Sequence, residues 1–232
     1  MTVPQRPVFP RFQAVADHAV LVEFGETISV EAHDQVLNLD AALSRSPFAG
    51  FTEAIPAYTS VLVGFDLLVT DHSAVQSAVS ALLETAERMP KSIANREVSV
   101  CYDDDLAPDL PAVAAKIGAS VEAVIEAHLS GAYSVFMYGF APGYAYLAGV
   151  PPLIQLPRKP AAVRGVAAGS VLVAGPQCLV TTLTMPTGWW IIGRSPTRIL
   201  ADDEDRPFLF DIGDRVAFKR ISRAEFDAMR GD

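Results

Sequence analysis

The sequence predicts two domains of different class. An α+β domain of the split βαβ kind covers roughly the first 95 residues, and a mainly β domain, barrel or sandwich, follows it. Strand-like and helix-like periods interleave in the first part, whereas from Tyr133 onward short apolar strands are separated by Gly/Pro turns with no long helical period. At 232 residues, 50% of them hydrophobic, the chain can bury one large or two small cores.

In chain order, Ala19 to Phe24 partly alternates as a strand, and Ala32, Val36, Leu39 and Leu43 recur at helical spacing. Phe51 to Ile55 and Val61 to Val69 read as strands flanking the Pro56-Ala57-Tyr58 turn. Ser73 and Gln76 form a capping box for a helix through Val75, Val79, Leu82, Leu83 and Ala86, ended by Pro90. Val98, Val100 and Tyr102 alternate as a strand that we assign to the second domain, so that the domains are predicted as 1–97 and 98–232. Asp109 is placed to cap a short helix ended by Gly118, and Ser120 caps another through Val121, Val124, Ile125 and Leu129. The later strands are expected near Tyr133 to Met137, Val171 to Ala174, Leu179 to Leu183, Trp189 to Ile192 and Arg215 to Phe218.

Charge and composition exclude several functions. A net charge of −9, with 18 Lys and Arg scattered among 27 acids, lacks the basic face that nucleic acids require. The proline-rich N-terminus carries no signal peptide or targeting helix, and Val61 to Val69 is too short to span a bilayer and contains Asp66, so a cytoplasmic protein with no membrane partner is expected. Cys101 and Cys178 lie far apart without metal-ligand spacing and read as buried, reduced thiols. His18, His33, His72 and His128 form no ligand pair, so no metal is expected. The run Asp202 to Asp205 reads as a solvated turn. Neither a phosphate-cradling glycine loop nor a G-x-S-x-G elbow is present, and Ser170 lacks a neighbouring base. ATP chemistry therefore needs a partner.

The candidate site lies between Gly139 and Pro196. Gly139-Phe140-Ala141-Pro142-Gly143-Tyr144-Ala145-Tyr146-Leu147 combines turn-forming residues with rings that cover an apolar surface. Such a loop holds a small planar ligand or a partner, or packs as its own small core. Arg158 follows Pro157 and Arg194 follows Gly193, which readies both guanidinium groups for a carboxylate or phosphate; the alternative is pairing with acids in the Asp202 to Asp214 region. The Gln177 amide can serve a lactam or urea-like group, or turn backbone. Of Trp189 and Trp190, one is expected in the core and the other on a cleft wall. His128, at the end of its helix, either caps that end or points into the cleft.

At these residues the chain resembles the family of KipI and the 5-oxoprolinase B component, also described as allophanate hydrolase subunit 1 and related to part of the urea carboxylase carboxyltransferase domain. The likeness runs through Leu21-Val22-Glu23-Phe24-Gly25, Ile55 to Val63, Pro108-Asp109-Leu110, Val124-Ile125 with His128, Tyr133 with Val135, the Gly139 to Leu147 loop, Pro157-Arg158, Ala168-Gly169-Ser170-Val171, Gln177, Gly188-Trp189 and Gly193-Arg194. The resemblance implies a ferredoxin-like N-terminal domain and a cyclophilin-like β-barrel. It also implies a hydrolase subunit that works only in complex, converting 5-oxoproline to glutamate with ATP. Its implied partners are an allophanate hydrolase subunit 2-type protein, the C component of 5-oxoprolinase, and a LamB/YcsF-type protein, the A component.

In that reading Arg158, Arg194, Gln177 and the backbone at Gly139 and Gly143 stabilise developing negative charge. Phe140, Tyr144, Tyr146 and Trp189 wall the substrate, and His128 carries a proton. The same resemblance admits a biotin-dependent carboxyltransferase subunit of the urea carboxylase kind, or a non-catalytic histidine-kinase inhibitor. The chain departs from the family pattern at Val163 where a second arginine is usual, with Arg164 one place later. It also carries Ala167 for proline, Thr181-Thr182 for Tyr-Pro, and Thr187 for glycine. Loss of a cleft arginine changes which anion is accepted.

Overall fold

The computed structural model describes residues 8–85 and 93–231. It separates into two compact units, residues 1–91 and 92–232, the second beginning a few residues before the predicted position 98.

The first unit runs β1 (Arg11–Val15), β2 (Ala19–Glu23), α1 (Val30–Arg45), β3 (Phe51–Pro56), β4 (Ser60–Phe65) and α2 (His72–Thr85). Its sheet is antiparallel throughout, in the order β1-β2-β4-β3. The sequence pattern does not predict β1, where only Phe12 and Val15 turn partly inward while Arg11, Gln13 and Ala14 face water. Ser29 caps α1, its hydroxyl accepting from the Ala32 amide at 3.1 Å, and Val36, Leu39 and Leu43 are fully covered. β4 stops at Phe65 rather than Val69 because the Asp66 carboxylate accepts from the Leu68 amide and turns the chain outward. The expected Ser73 capping box is not formed. Asp71, two residues earlier, accepts from the Ala74 amide at 2.9 Å, and Ser73 already lies inside the helix. The expected helix end at Ala86 and Pro90 falls outside the described residues.

The second unit contains β5 (Asn95–Val100), α3 (Leu110–Ile117), α4 (Val121–Leu129), β6 (Tyr133–Tyr138), β7 (Ala145–Ala148), β8 (Val163–Val166), β9 (Ser170–Ala174), β10 (Gln177–Val180), β11 (Met185–Thr187), β12 (Trp190–Arg194), β13 (Arg215–Arg220) and α5 (Arg223–Gly231). Seven strands form one sheet, β12-β9-β10-β7-β6-β13-β5, in which β13 and β5 run parallel. The outer strands meet through Cys101 and Arg194, whose amides and carbonyls exchange two 2.9 Å hydrogen bonds, so the sheet is a nearly closed barrel. At this seam a Cβ on Gly193 would meet Val100 Cγ1 at 2.7 Å, which only glycine avoids.

Strand alternation divides the apolar residues. Val171, Val173, Trp190 and Ile192 fill the barrel, whereas Leu172, Leu179, Trp189 and Ile191 form a second cluster on its outer face with Tyr144 and Val166. Gly118, at φ +68, ends α3, and Ser120 caps α4 through the Ala123 amide, both as predicted. Asp109 makes no side-chain cap. Its carboxylate instead takes Lys159 Nζ at 2.6 Å and the Ile191 amide at 2.7 Å, which gives the nearly buried Lys159 ammonium a counter-charge that a capping Asp109 would not supply. Helix α5 has no counterpart in the sequence prediction: Phe226 on it is buried, against Cys101, Leu106 and Ile221, while the rest of its described side chains are exposed.

Candidate functional site

The loop from Gly139 to Tyr144 turns tightly on itself. The Gly139 amide donates to the Tyr144 carbonyl at 3.2 Å and the Tyr144 amide to the Ala141 carbonyl at 3.1 Å, with Phe140 at φ +71 and Gly143 at φ +72. One side of the loop packs beside the end of β10: a Cβ on Gly143 would meet Leu200 Cδ2 at 2.7 Å, and the Thr182 hydroxyl donates to the Pro142 carbonyl at 2.6 Å. Its other side carries Phe140, 72% exposed, and Tyr144, which is buried.

That second side walls an aromatic hollow of about 190 Å³ on the outer face of the barrel, lined by Phe140, Tyr144, Tyr146, Arg158, Thr187 and Trp189 among others. The Arg158 guanidinium lies over the Trp189 ring at 5.6 Å, and Tyr146 and Trp189 meet edge to face at 5.9 Å. Among the described residues Arg158 has no ion-pair partner. Burial raises the Tyr146 hydroxyl's pKa and Arg158 opposes the rise; burial pushes Tyr144 up to about 12. Both phenols are therefore neutral donors at pH 7. The tryptophans divide as expected, Trp190 filling the barrel with its indole N–H donating to the Pro157 carbonyl at 2.8 Å.

Arg194 lines a different hollow. It holds about 480 Å³ and is bounded by Gly169, Thr181, Thr182, Arg194, Arg198 and Arg230, together with Ala168, Thr184, Ser195, Pro196, Thr197, Ile199 and Leu200. Arg194 Nε donates to the Ala168 carbonyl at 3.2 Å, which orients the guanidinium. Burial lowers its pKa, and the like charge of Arg230 adds to the effect. Neither Arg158 nor Arg194 is bound by the Asp202 to Asp214 acids; those take Arg96, Arg198 and Arg206. The shared cleft expected for Arg158 and Arg194 is thus two hollows, with the 139–144 loop contributing to one and packing against Thr182 and Leu200 of the other.

Four predicted site residues line neither hollow: the loop glycines Gly139 and Gly143, whose backbone shapes the turn behind Phe140 and Tyr144, and His128 and Gln177. His128 is fully buried, its Nδ1 2.7 Å from the Tyr102 hydroxyl and its Nε2 3.8 Å from Cys178 Sγ, among the rings of Tyr133 and Phe218. Burial pulls its pKa down to about 3. It neither faces a cleft nor carries charge, because α4 turns this face onto the barrel wall instead of solvent. Gln177 starts β10 beside the hairpin turn, opposite Ala174 and Ala148, at the far end of the strand from Thr181.

The departures from the family pattern prove to be neighbours. The Thr181 hydroxyl donates to the Ala167 carbonyl at 2.9 Å and accepts from the Ser170 amide at 2.9 Å, tying down the turn before β9. Val163 and Thr187 are register partners in the β8–β11 ribbon. Ser170 is a turn group, donating to the Ala167 carbonyl at 2.8 Å. No motif singles out Arg198 or Arg230, which reach the hollow from a loop and from α5. Among the described residues no group of three or more His, Cys, Asp and Glu is arranged to hold a metal, and no helix is long and apolar enough to cross a membrane.

Comparison with known proteins matches residues 10–210 to the carboxyltransferase domain, subdomain C and D. The 5-oxoprolinase B subunit of Bacillus subtilis (strain 168) is 36% identical over 231 residues, covering 95% of this chain and 96% of that protein. That of Escherichia coli O157:H7 is 31% identical over 211 residues, covering 90% and 94%. The crystal structure of TTHA0988 superposes with a TM-score of 0.77 at 35% identity over 88% of this chain, which spans only 40% of that longer protein. Protein PH0987 from Pyrococcus horikoshii matches over its full length and 93% of this chain, with a TM-score of 0.55 at 35% identity. The K. lactis urea amidolyase gives a TM-score of 0.80 at 17% identity, over 16% of its length, a likeness of fold. With most of its length accounted for by one domain model and by relatives of near-equal length, the chain belongs to the carboxyltransferase domain, subdomain C and D, family.

Proposed function

We propose that this chain is the B-type subunit of a cytoplasmic 5-oxoprolinase, opening the lactam of 5-oxoproline to glutamate at the expense of ATP. It works with a barrel-type C component and a LamB/YcsF-type A component. The observation that carries this reading is the 36% identity over 95% of the chain to a protein named as the B subunit of 5-oxoprolinase. The ferredoxin-like and cyclophilin-like labels belong to the same reading. A four-stranded antiparallel sheet with two helices supports the first label, and the nearly closed barrel supports the second.

The aromatic hollow suits the substrate. A lactam is resonance-stabilised, and transfer of a phosphoryl group from ATP to its carbonyl oxygen activates the carbon: water adds there, the C–N bond breaks with the ring nitrogen leaving as the protonated amine, and hydrolysis of the acyl phosphate so formed releases phosphate and the second carboxylate of glutamate. 5-Oxoproline is a flat ring with one carboxylate. The Tyr146 and Trp189 rings offer faces and edges for the ring, and the unpaired Arg158 fork offers bidentate recognition of the carboxylate. Neutral Tyr146 can donate to a developing anion.

The test is 5-oxoproline-dependent ATP hydrolysis by this chain co-expressed with its C-type and A-type partners. Activity from the full set and from no smaller set is expected; a complete, stable complex without it overturns the reading. In that complex Arg158→Ala should raise KM for 5-oxoproline and lower kcat/KM by about 10- to 100-fold. Unchanged kinetics would remove the substrate from the aromatic hollow while leaving the B-type assignment intact. The biotin-dependent alternative draws on the carboxyltransferase domain match and on likeness of fold to urea amidolyase, and under the main reading avidin-insensitive turnover is expected.

A further inference from the structure

We propose that the hollow around Arg194 is a second, separate binding site that takes a compact phosphate-bearing anion, preferentially one with adjacent phosphoryl groups. This does not depend on the placement of 5-oxoproline above.

The lining residues carry the inference. Arg194, Arg198 and Arg230 converge on one concavity of about 480 Å³, and no acidic side chain lines it. Arg198 is partly compensated by Asp202 at 2.9 Å, at an exposed position. Among the described residues Arg194 and Arg230 have no carboxylate partner. The charge of Arg230 is felt at Arg194, and the weaker opposing influence of Asp105 comes from a carboxylate already held by Arg223 at 2.7 Å. Arg194 is partly buried while Arg198 and Arg230 are exposed, so the concavity presents like charges that a bound anion would offset.

The ligand class follows from the same residues. A single carboxylate matches one guanidinium fork, the situation around Arg158, and would leave a second fork here unmet. A phosphoryl or pyrophosphoryl group offers several acceptor oxygens and at least two charges, matching two or three guanidinium groups at once. Thr184 and the other hydroxyl-bearing side chains at the rim add neutral polar surface. Extended polyanions are disfavoured, because the hollow is confined to one concavity of the barrel and the chain as a whole carries a net charge of −9. No glycine-loop phosphate cradle is involved; the recognition is by side chains.

The test is calorimetric titration of the purified full-length chain with inorganic phosphate, pyrophosphate, ATP and adenosine. Pyrophosphate and ATP should bind, phosphate more weakly and adenosine not at all. Arg230→Ala, at an exposed position on α5 where the guanidinium lies over the Phe226 ring at 5.8 Å, should weaken pyrophosphate binding by about tenfold, and Arg194→Ala by at least as much. Arg194→Lys should restore part of the loss, and Arg158→Ala should have no effect. Unchanged thermal melting of Arg230→Ala shows that lost binding is not lost folding. The proposal is overturned if none of the phosphate compounds binds at millimolar concentration, if binding ignores both Arg194→Ala and Arg230→Ala, or if 5-oxoproline displaces pyrophosphate from the hollow.

Discussion

His128 shows how environment decides what a residue can do. Its ring is enclosed by Tyr102, Tyr133, Cys178 and Phe218, and none of these supplies a negative charge: burial drives the phenol of Tyr102 and the thiol of Cys178 upward in pKa, so both stay protonated. The folded chain holds His128 neutral to about pH 3, whereas the unfolded chain protonates it near its ordinary value of 6.5. Between those limits the unfolded state binds the extra proton, so stability is complete above pH 6.5 and is lost as pH falls. From pH 7.5 to 5.5 this group alone removes roughly 1–2 kcal/mol. Urea denaturation of the native chain against His128→Phe at the two pH values should show that increment missing in the variant; equal pH dependence would contradict the burial.

Gly169, at φ +84, gives a second test at this scale, since a Cβ there collides with the Ser195 carbonyl. Gly169→Ala should cost roughly 2 kcal/mol or more, and Gly175→Ala, at φ +53 in open space, clearly less, as read by urea midpoints. Arg158 and Arg194 both emerge without acid partners among the described residues, one of the two outcomes the sequence left open. Whether they share a hollow was not legible, because that is fixed by which faces of β9, β10 and β12 their neighbours occupy.

Elements announce themselves when their signals are strong and contiguous. Ser120 and Gly118 stand where the sequence pattern puts them because a hydroxyl cap and a left-handed glycine are backbone requirements met within a few residues. β1, with two of its five residues partly covered, and α5, with one buried ring, offer too little apolar periodicity to stand out before tertiary packing completes them. Competition between caps is likewise settled by structure. Asp71→Ala should destabilise the first unit by about 1 kcal/mol while Ser73→Ala changes little, measured by thermal denaturation. Asp109→Ala should cost more, about 2–4 kcal/mol, since it leaves Lys159, whose side chain is 9% exposed, without its charge partner and the Ile191 amide without its acceptor.

At the scale of the molecule the outer strands of the barrel meet backbone to backbone in two hydrogen bonds between Cys101 and Arg194, beside the bond from the Ser99 amide to the Thr197 hydroxyl and over a glycine that lets the strands approach. The same Arg194 directs its side chain to the larger hollow, so the clasp of the hoop and the hook for an anion are one residue. A ligand gripping that guanidinium therefore tightens the ring from outside, and its departure slackens it. Deuterium uptake at the Cys101 and Arg194 amides should slow when pyrophosphate is present and quicken again in Arg230→Ala, making the breathing of the hoop a gauge of what the molecule is holding.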